Sequence, residues 1–226
     1  RAMNRRWLSP LALVSLTLCI CAQAFAESSR NAPTLKVGEA YYLGRDLTDS
    51  GVREFLGIPF AAPPVGKLRW QPPQALAASS GIKEATQFAS ACMQSDRIVL
   101  WYKALMRDFG ADPESFRAPT FSEDCLYLNV WAPPRDHQKS LNELPVYVYV
   151  HGGSNKAGWS FEPNYLGHNL ASQGIIVVSI AYRLGAFGFL AHPQLNYANF
   201  ALLDMIAALE CVKRNIGQLG GDPNNV

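Results

Sequence analysis

The chain has 226 residues, 49% of them hydrophobic and 17% charged, a balance that excludes a disordered or fibrous protein and allows one sizeable core. Lys and Arg number 20 against 18 Asp and Glu, and the formal net charge of +2 leaves no electrostatic footprint for nucleic acid. Basic pairs such as Lys213-Arg214 read as solvated helix surface.

Near the N-terminus, Arg5 and Arg6 follow Met3 and precede an apolar run from Leu11 to Ala22, which leads to Ala24-Phe25-Ala26. These are the parts of a secretory signal peptide over residues 1–26, cleaved after Ala26. The run falls short of the roughly 20 residues that span a bilayer. Leu18 and Ile20 precede Cys19 and Cys21, where a lipoprotein site would want a small residue. Arg1 and Ala2 lie upstream of Met3, which is read as the initiator. The expectation is a secreted or periplasmic protein with no membrane anchor after cleavage, whose residues 27–226 belong to a single domain.

Along the mature chain, Val37 to Leu43 and Val52 to Ile58 look like antiparallel strands joined by a turn at Asp49-Ser50-Gly51. The Pro-rich stretches 61–66 and 71–73 are irregular. Residues 98–106 suit a short helix, and 126–131 alternate as a strand. Segments 145–150 and 175–180 are dense in β-branched residues, as in strands buried on both faces. Between them, 165–173 reads as a helix ended by Gly174. A longer helix over 199–216 carries Leu202, Leu203, Ile206, Leu209, Val212 and Ile216 at helical spacing. The order βαβα predicts an α/β fold with a mainly parallel sheet. There is no internal repeat and no domain boundary.

Export changes the meaning of the cysteines. Cys92, Cys125 and Cys211 remain in a compartment where disulfides persist, enough for one bridge and one leftover. Cys211 lies in the last helix and reads as a small core residue. Cys92 and Cys125 flank a long helical and loop segment and make the better pair, the alternative being two free thiols. A bridge there would contribute about 2–4 kcal/mol.

Several blocks then occur in order: 55–66 (beginning Phe55-Leu56-Gly57-Ile58-Pro59-Phe60) with Leu68-Arg69-Trp70; Ser122-Glu123-Asp124-Cys125-Leu126-Tyr127-Leu128-Asn129-Val130-Trp131; Tyr182-Arg183-Leu184-Gly185 continuing to Leu190; Ala201-Leu202-Leu203-Asp204; and Gly220-Gly221-Asp222-Pro223-Asn224-Asn225-Val226. Together they resemble the type-B carboxylesterase family, which includes the cholinesterases and bacterial para-nitrobenzyl esterases. The resemblance implies the α/β-hydrolase fold, a mainly parallel central sheet preceded by N-terminal antiparallel strands. It also implies a Cys92–Cys125 disulfide and two structural ion pairs, Arg69 with Glu123 and Arg183 with Asp204. Acid–base roles for these four charges are the less favoured reading, because a partly buried pair needs both partners.

For acyl transfer, the resemblance places Val150-His151-Gly152-Gly153-Ser154 at the family's His-Gly-Gly-Gly oxyanion loop. The donors expected are the backbone N–H groups of Gly153 and Ser154, with Gly152 shaping the turn. Ser154 stands where the family has a third glycine, and Asn155 where it has an aromatic. Ser tolerates φ > 0 less well than Gly, and the pocket floor becomes more polar. His151 is expected to support the loop, the family's catalytic His coming later. The family's Gly-x-Ser-x-Gly elbow would begin about four residues beyond Val226. The chain is therefore expected to stop before the nucleophile strand, to lack the catalytic serine, acid and histidine, and to be inactive by itself. An uncovered sheet edge would also make it aggregation-prone. Ser154, Ser160 and Ser179 are no substitutes, since none lies in that glycine context.

The function implied is a carboxylic ester hydrolase working through a serine nucleophile and an acyl-enzyme on a small-molecule ester. The alternative is a non-catalytic, cholinesterase-like adhesion or binding protein. A cholinesterase is disfavoured: the choline-binding Trp would lie about eight residues before Glu123, where the chain reads Pro113-Glu114-Ser115-Phe116. Trp101 is read as a packing residue. No metal or organic cofactor is implied, because His137, His151, His168 and His192 show no ligand spacing.

Overall fold

A computed structural model describes residues 32–135 and 143–226; the leader expected over residues 1–26 and His137 lie outside them. Alternation of small or apolar with polar side chains opens the described part. Leu35, Val37, Ala40 and Tyr42 all face inward from a hairpin of β1 (Thr34–Val37) and β2 (Ala40–Leu43), which turns at Gly38 with φ +60°. The stretch expected as one strand from Val37 is thus the second half of a hairpin. β3 (Arg45–Asp46) and β4 (Arg53–Pro59) follow, joined through Gly51. The chain continues with β5 (Gly81–Glu84), β6 (Ala91–Cys92), helix α1 (Arg97–Asp108), β7 (Phe121–Ser122) and β8 (Tyr127–Ala132). Then come β9 (Val146–Val150), α2 (His168–Ala171), β10 (Ile176–Ile180), α3 (Gly185–Phe189) and α4 (Phe200–Asn215).

The main sheet has the order β3-β4-β8-β10-β9. Its β3–β4, β4–β8 and β8–β10 pairings are antiparallel, and β9–β10 is parallel. The outer edge of β9 begins to take a second parallel neighbour: Leu144 bridges Gly221, and the Val146 N–H donates to Asn225 O at 3.0 Å. β10 lies between β8 and β9 and is buried along its whole length. Phe55, Ile58, Val130, Ile176 and Ile180 fill the core around it.

Three expectations need correction. β9 is not buried on both faces: Tyr147 and Val150 are exposed. The single helix expected over 165–173 is split into a 3₁₀ turn (Pro163–Tyr165) and the short α2, with Gly174 in the left-handed region after it. Gly167 explains the break, since a Cβ there would lie 2.6 Å from the Trp131 ring and 2.7 Å from Val177, so the chain presses onto the sheet. In α4 the buried face is Phe200, Ala201, Asp204, Ala208, Cys211 and Val212, while Leu202, Ile206 and Leu209 are exposed. Asp204 decides this orientation: it must face inward to meet Arg183, and that turns the larger aliphatics outward.

Charges buried in the core are matched individually. Asp204 is fully buried and Arg183 nearly so; Nε donates to Oδ2 at 2.8 Å, Nη2 to Oδ1 at 2.7 Å, and the Arg183 amide to Oδ2 at 3.1 Å. Arg183 Nη1 also donates to Gln71 O at 2.9 Å. Arg53 is buried with its fork on two carbonyls: Nε donates to Pro133 O at 2.8 Å and Nη2 to Leu219 O at 3.1 Å. Burial lowers its pKa first, the nearby Arg135 adds to this, and Asp46 opposes it. At the β4–β8 bulge, Gly57 (φ +67°) turns its N–H to Asn129 Oδ1 at 3.0 Å. Asn129 Nδ2 in turn donates to Ser160 and Ser179.

Cys92 and Cys125 form a disulfide across 33 residues, closing the excursion that carries α1. Arg69 binds Glu123 with two nitrogens beside it, at 2.5 and 2.6 Å, but this pair is largely solvent-exposed. Removing one member of a buried pair strands the other, at a cost of about 3–5 kcal/mol, so Asp204→Ala is expected to lower the unfolding free energy of the complete protein, read from urea titration, by that much. Glu123→Ala should shift it far less, since water already screens Arg69. Equal shifts would show that burial does not separate the two pairs.

Candidate active site

Immediately after β9 the chain reverses over residues 151–158, and the backbone there tolerates little variation. Gly153 has φ +118°, and a Cβ on it would sit 1.8 Å from Ala157 O. Its carbonyl accepts from the N–H groups of Lys156 and Ala157, both at 3.2 Å. Ser154 (φ +57°) and Asn155 (φ +61°) follow it in the left-handed region, where non-glycine residues are uncommon. Among the described residues, the amides of Gly153 and Ser154 donate to no protein acceptor.

The loop is fastened from four directions. The His151 ring stacks on Tyr182 at 4.5 Å, and its Nδ1–H donates to Gly152 O at 2.9 Å, the carbonyl being able only to accept. Tyr182 donates its hydroxyl to His151 O at 2.8 Å. Gly185 N–H donates to Asn155 O at 2.7 Å. At the exit, the Gln94 amide pairs with both backbone groups of Gly158, each at 2.7 Å, and Gln94 Nε2 also reaches Cys92 O at 3.1 Å. The buried Glu162 completes the set, accepting from Trp159 N–H at 3.2 Å and from the Tyr102 hydroxyl at 2.9 Å. Burial pushes the His151 imidazole down to about 4, against the opposing Gly152 contact, so it is neutral at ordinary pH.

Gly152 and Gly153 form one wall of a cavity of about 310 Å³, which is closed by Arg97, Ile98, Trp101, Tyr149, Glu162 and Tyr165. Tyr149 and Tyr165 stack at 5.0 Å. The Tyr149 phenol is pushed up to about 12, first by burial and then by Tyr165 and Glu162, so it remains a neutral hydroxyl. The disulfide and the charges Arg69, Glu123 and Arg183 gather elsewhere, around a narrow gap with Trp70, Leu184 and Phe187. Ser160 and Ser179 are buried on Asn129.

Sequence reasoning reached the loop but missed the opposite wall. Trp101, read as packing, is about half exposed and faces the cavity. Arg97, Tyr149, Glu162 and Tyr165 carried no local signal. They converge because the disulfide-closed excursion folds α1 against the 159–165 segment, where Tyr102 meets Trp159 and Glu162.

The sequence profile of the carboxylesterase family matches residues 33–226. The chain is 43% identical over 185 residues to a fumonisin B1 esterase of Sphingopyxis macrogoltabida, covering 79% of this chain and 31% of that protein. It is 43% identical over 187 residues to a para-nitrobenzyl esterase of Bacillus subtilis, covering 80% and 35%. Among solved structures, a thermophilic PNB esterase superposes with a TM-score of 0.74 at 36% identity, covering 87% of this chain and 38% of that one. The chain thus spans about a third of the length of these relatives, and its mixed sheet is part of the α/β-hydrolase fold.

The buried imidazole has a consequence for stability. Its pKa is lower folded than unfolded, so between about 6.5 and 4 the unfolded chain binds the proton first and stability falls as pH drops, by about 3 kcal/mol at full effect. Urea midpoints at pH 7 and pH 4.5 should therefore diverge more for the native sequence than for His151→Gln. Parallel pH dependence in the two would contradict the assignment.

Proposed function

The chain belongs to the carboxylesterase family, and from that membership we propose that its parent protein hydrolyses carboxylic esters through a serine nucleophile and an acyl-enzyme. The observation that carries this reading is the pair of unbonded amides at Gly153 and Ser154, on a loop whose glycines open onto a 310 Å³ cavity.

In this reading the ester carbonyl oxygen sits against those two N–H groups. As the nucleophile adds, charge moves onto that oxygen, and donors already in place stabilise it without reorganising. The fastening by Gln94, Glu162, His151 and Gly185 keeps the donors aimed. Ser154 contributes through its backbone, so the side chain that replaces glycine does not remove the donor. Neutral His151 is a support, since its Nδ1–H is committed to Gly152. The relatives carry about two thirds of their length outside the matched region, and the reading places nucleophile, base and orienting acid there. The substrate is a small-molecule ester. The Cys92–Cys125 bridge supports export to an oxidising compartment, as the leader-like N-terminus suggests.

The complete protein should hydrolyse para-nitrophenyl acetate. Gly153→Ala is expected to lower kcat by about 10²–10³-fold, because its Cβ displaces the Ala157 carbonyl and with it the donors. Ser154→Gly should keep the activity, since the amide stays and the left-handed φ becomes free of strain. A folded native protein without hydrolysis would refute the reading, and retained activity in Gly153→Ala would refute the donor assignment.

A further inference from the structure

The cavity beside Gly153 is walled by aromatic and polar groups, and its chemistry is set by one cation. Arg97 opens α1 and is exposed, and among the described residues its side chain makes one hydrogen bond, Nη2 donating to Gly153 O at 3.5 Å. Arg45, Arg69 and Arg183 each hold a carboxylate, whereas no carboxylate of the described residues lies within ion-pair distance of Arg97. The acid on the same cavity, Glu162, is already bound to Tyr102 and Trp159, so its oxygens are turned into the protein. The rest of the wall consists of Ile98, Trp101, Tyr149 and Tyr165, flat or apolar surfaces with hydroxyl tips.

A guanidinium offers a planar fork of donors that matches a carboxylate bidentately. Here the fork lies within one peptide group of the Gly153 donor. We infer that this pocket selects esters bearing a second, ionised carboxylate near the scissile carbonyl, with Arg97 as the residue that docks that carboxylate. The inference deepens the esterase reading and rests on it. When the reacting carbonyl faces the Gly153 and Ser154 amides, a carboxylate two carbons away on the acyl chain comes under Arg97. A neutral ester of the same length leaves the guanidinium solvated and unused.

The test compares two esters of equal chain length on the complete protein, the mono-para-nitrophenyl ester of succinic acid and para-nitrophenyl butyrate. The native protein should show the higher kcat/KM for the succinate ester, chiefly through a lower KM. Arg97→Gln should cut the ratio of the two kcat/KM values by about tenfold or more, and Arg97→Lys should restore part of it. A native preference for butyrate, or a Gln variant in which both esters lose equally, overturns the assignment while leaving the esterase reading in place. Hydrolysis of neither ester refutes the esterase reading. Titration calorimetry with succinate then decides the Arg97 assignment: binding that Arg97→Gln abolishes upholds it, and no binding, or equal binding in both proteins, overturns it.

Discussion

After β9 the chain runs through positive φ at residues 153–155 without interruption, a backbone path that side chains oppose. That constraint organises much of the molecule. Gly153 admits no side chain because Ala157 O occupies the place of a Cβ, and Gly158 admits none because Gly152 O and the His151 ring do. A backbone so wound would relax if left to itself, so it is pinned on either side: Tyr182 and Gly185 come from the segment after β10, Gln94 and Glu162 from the excursion wall. The disulfide bears on the loop through a short covalent and hydrogen-bonded path, Cys92 carbonyl to Gln94 amide to Gly158.

Charge is handled by a consistent rule of burial. Arg183 and Asp204 are out of water and satisfy each other with three hydrogen bonds, whereas Arg69 and Glu123 remain within reach of solvent. The first pair fixes which face of α4 turns inward, and so places Leu202, Ile206 and Leu209 on the outside. An interaction that contributes modest net stability can in this way dictate orientation, because the penalty for breaking it is large.

What the sequence made legible, and what it hid, follows from the range of the forces involved. The Gly-rich turn after a β-branched strand, the hydrophobic run of β10 and the helix over 200–215 are local patterns, and they were readable as such. The Cys92–Cys125 bridge was the favoured pairing from export and cysteine placement, with the resemblance agreeing, whereas the two ion pairs were reached through the resemblance of whole blocks. The cavity wall was not readable: Arg97 and Trp101 sit on one helix, Tyr149 on a strand and Glu162 with Tyr165 on a turn, and none is marked by its neighbours. The exposure of β9 and the break at Gly167 were hidden for the same reason. Strand composition does not reveal what covers a strand's faces, nor a helical pattern how closely its chain must press on Trp131.

Arg53 joins the two ends of the described fold, and its contacts set an order in time. Its side chain reaches Pro133 O across 80 positions and Leu219 O across 166. During synthesis from the N-terminus, β4 therefore emerges with a guanidinium that stays hydrated until the chain beyond α4 has been made. Loop closure over such separations is slow compared with helix formation. The burial of Arg53 thus waits for Leu219, and it marks the moment when β4 and the segment after α4 first belong to the same body.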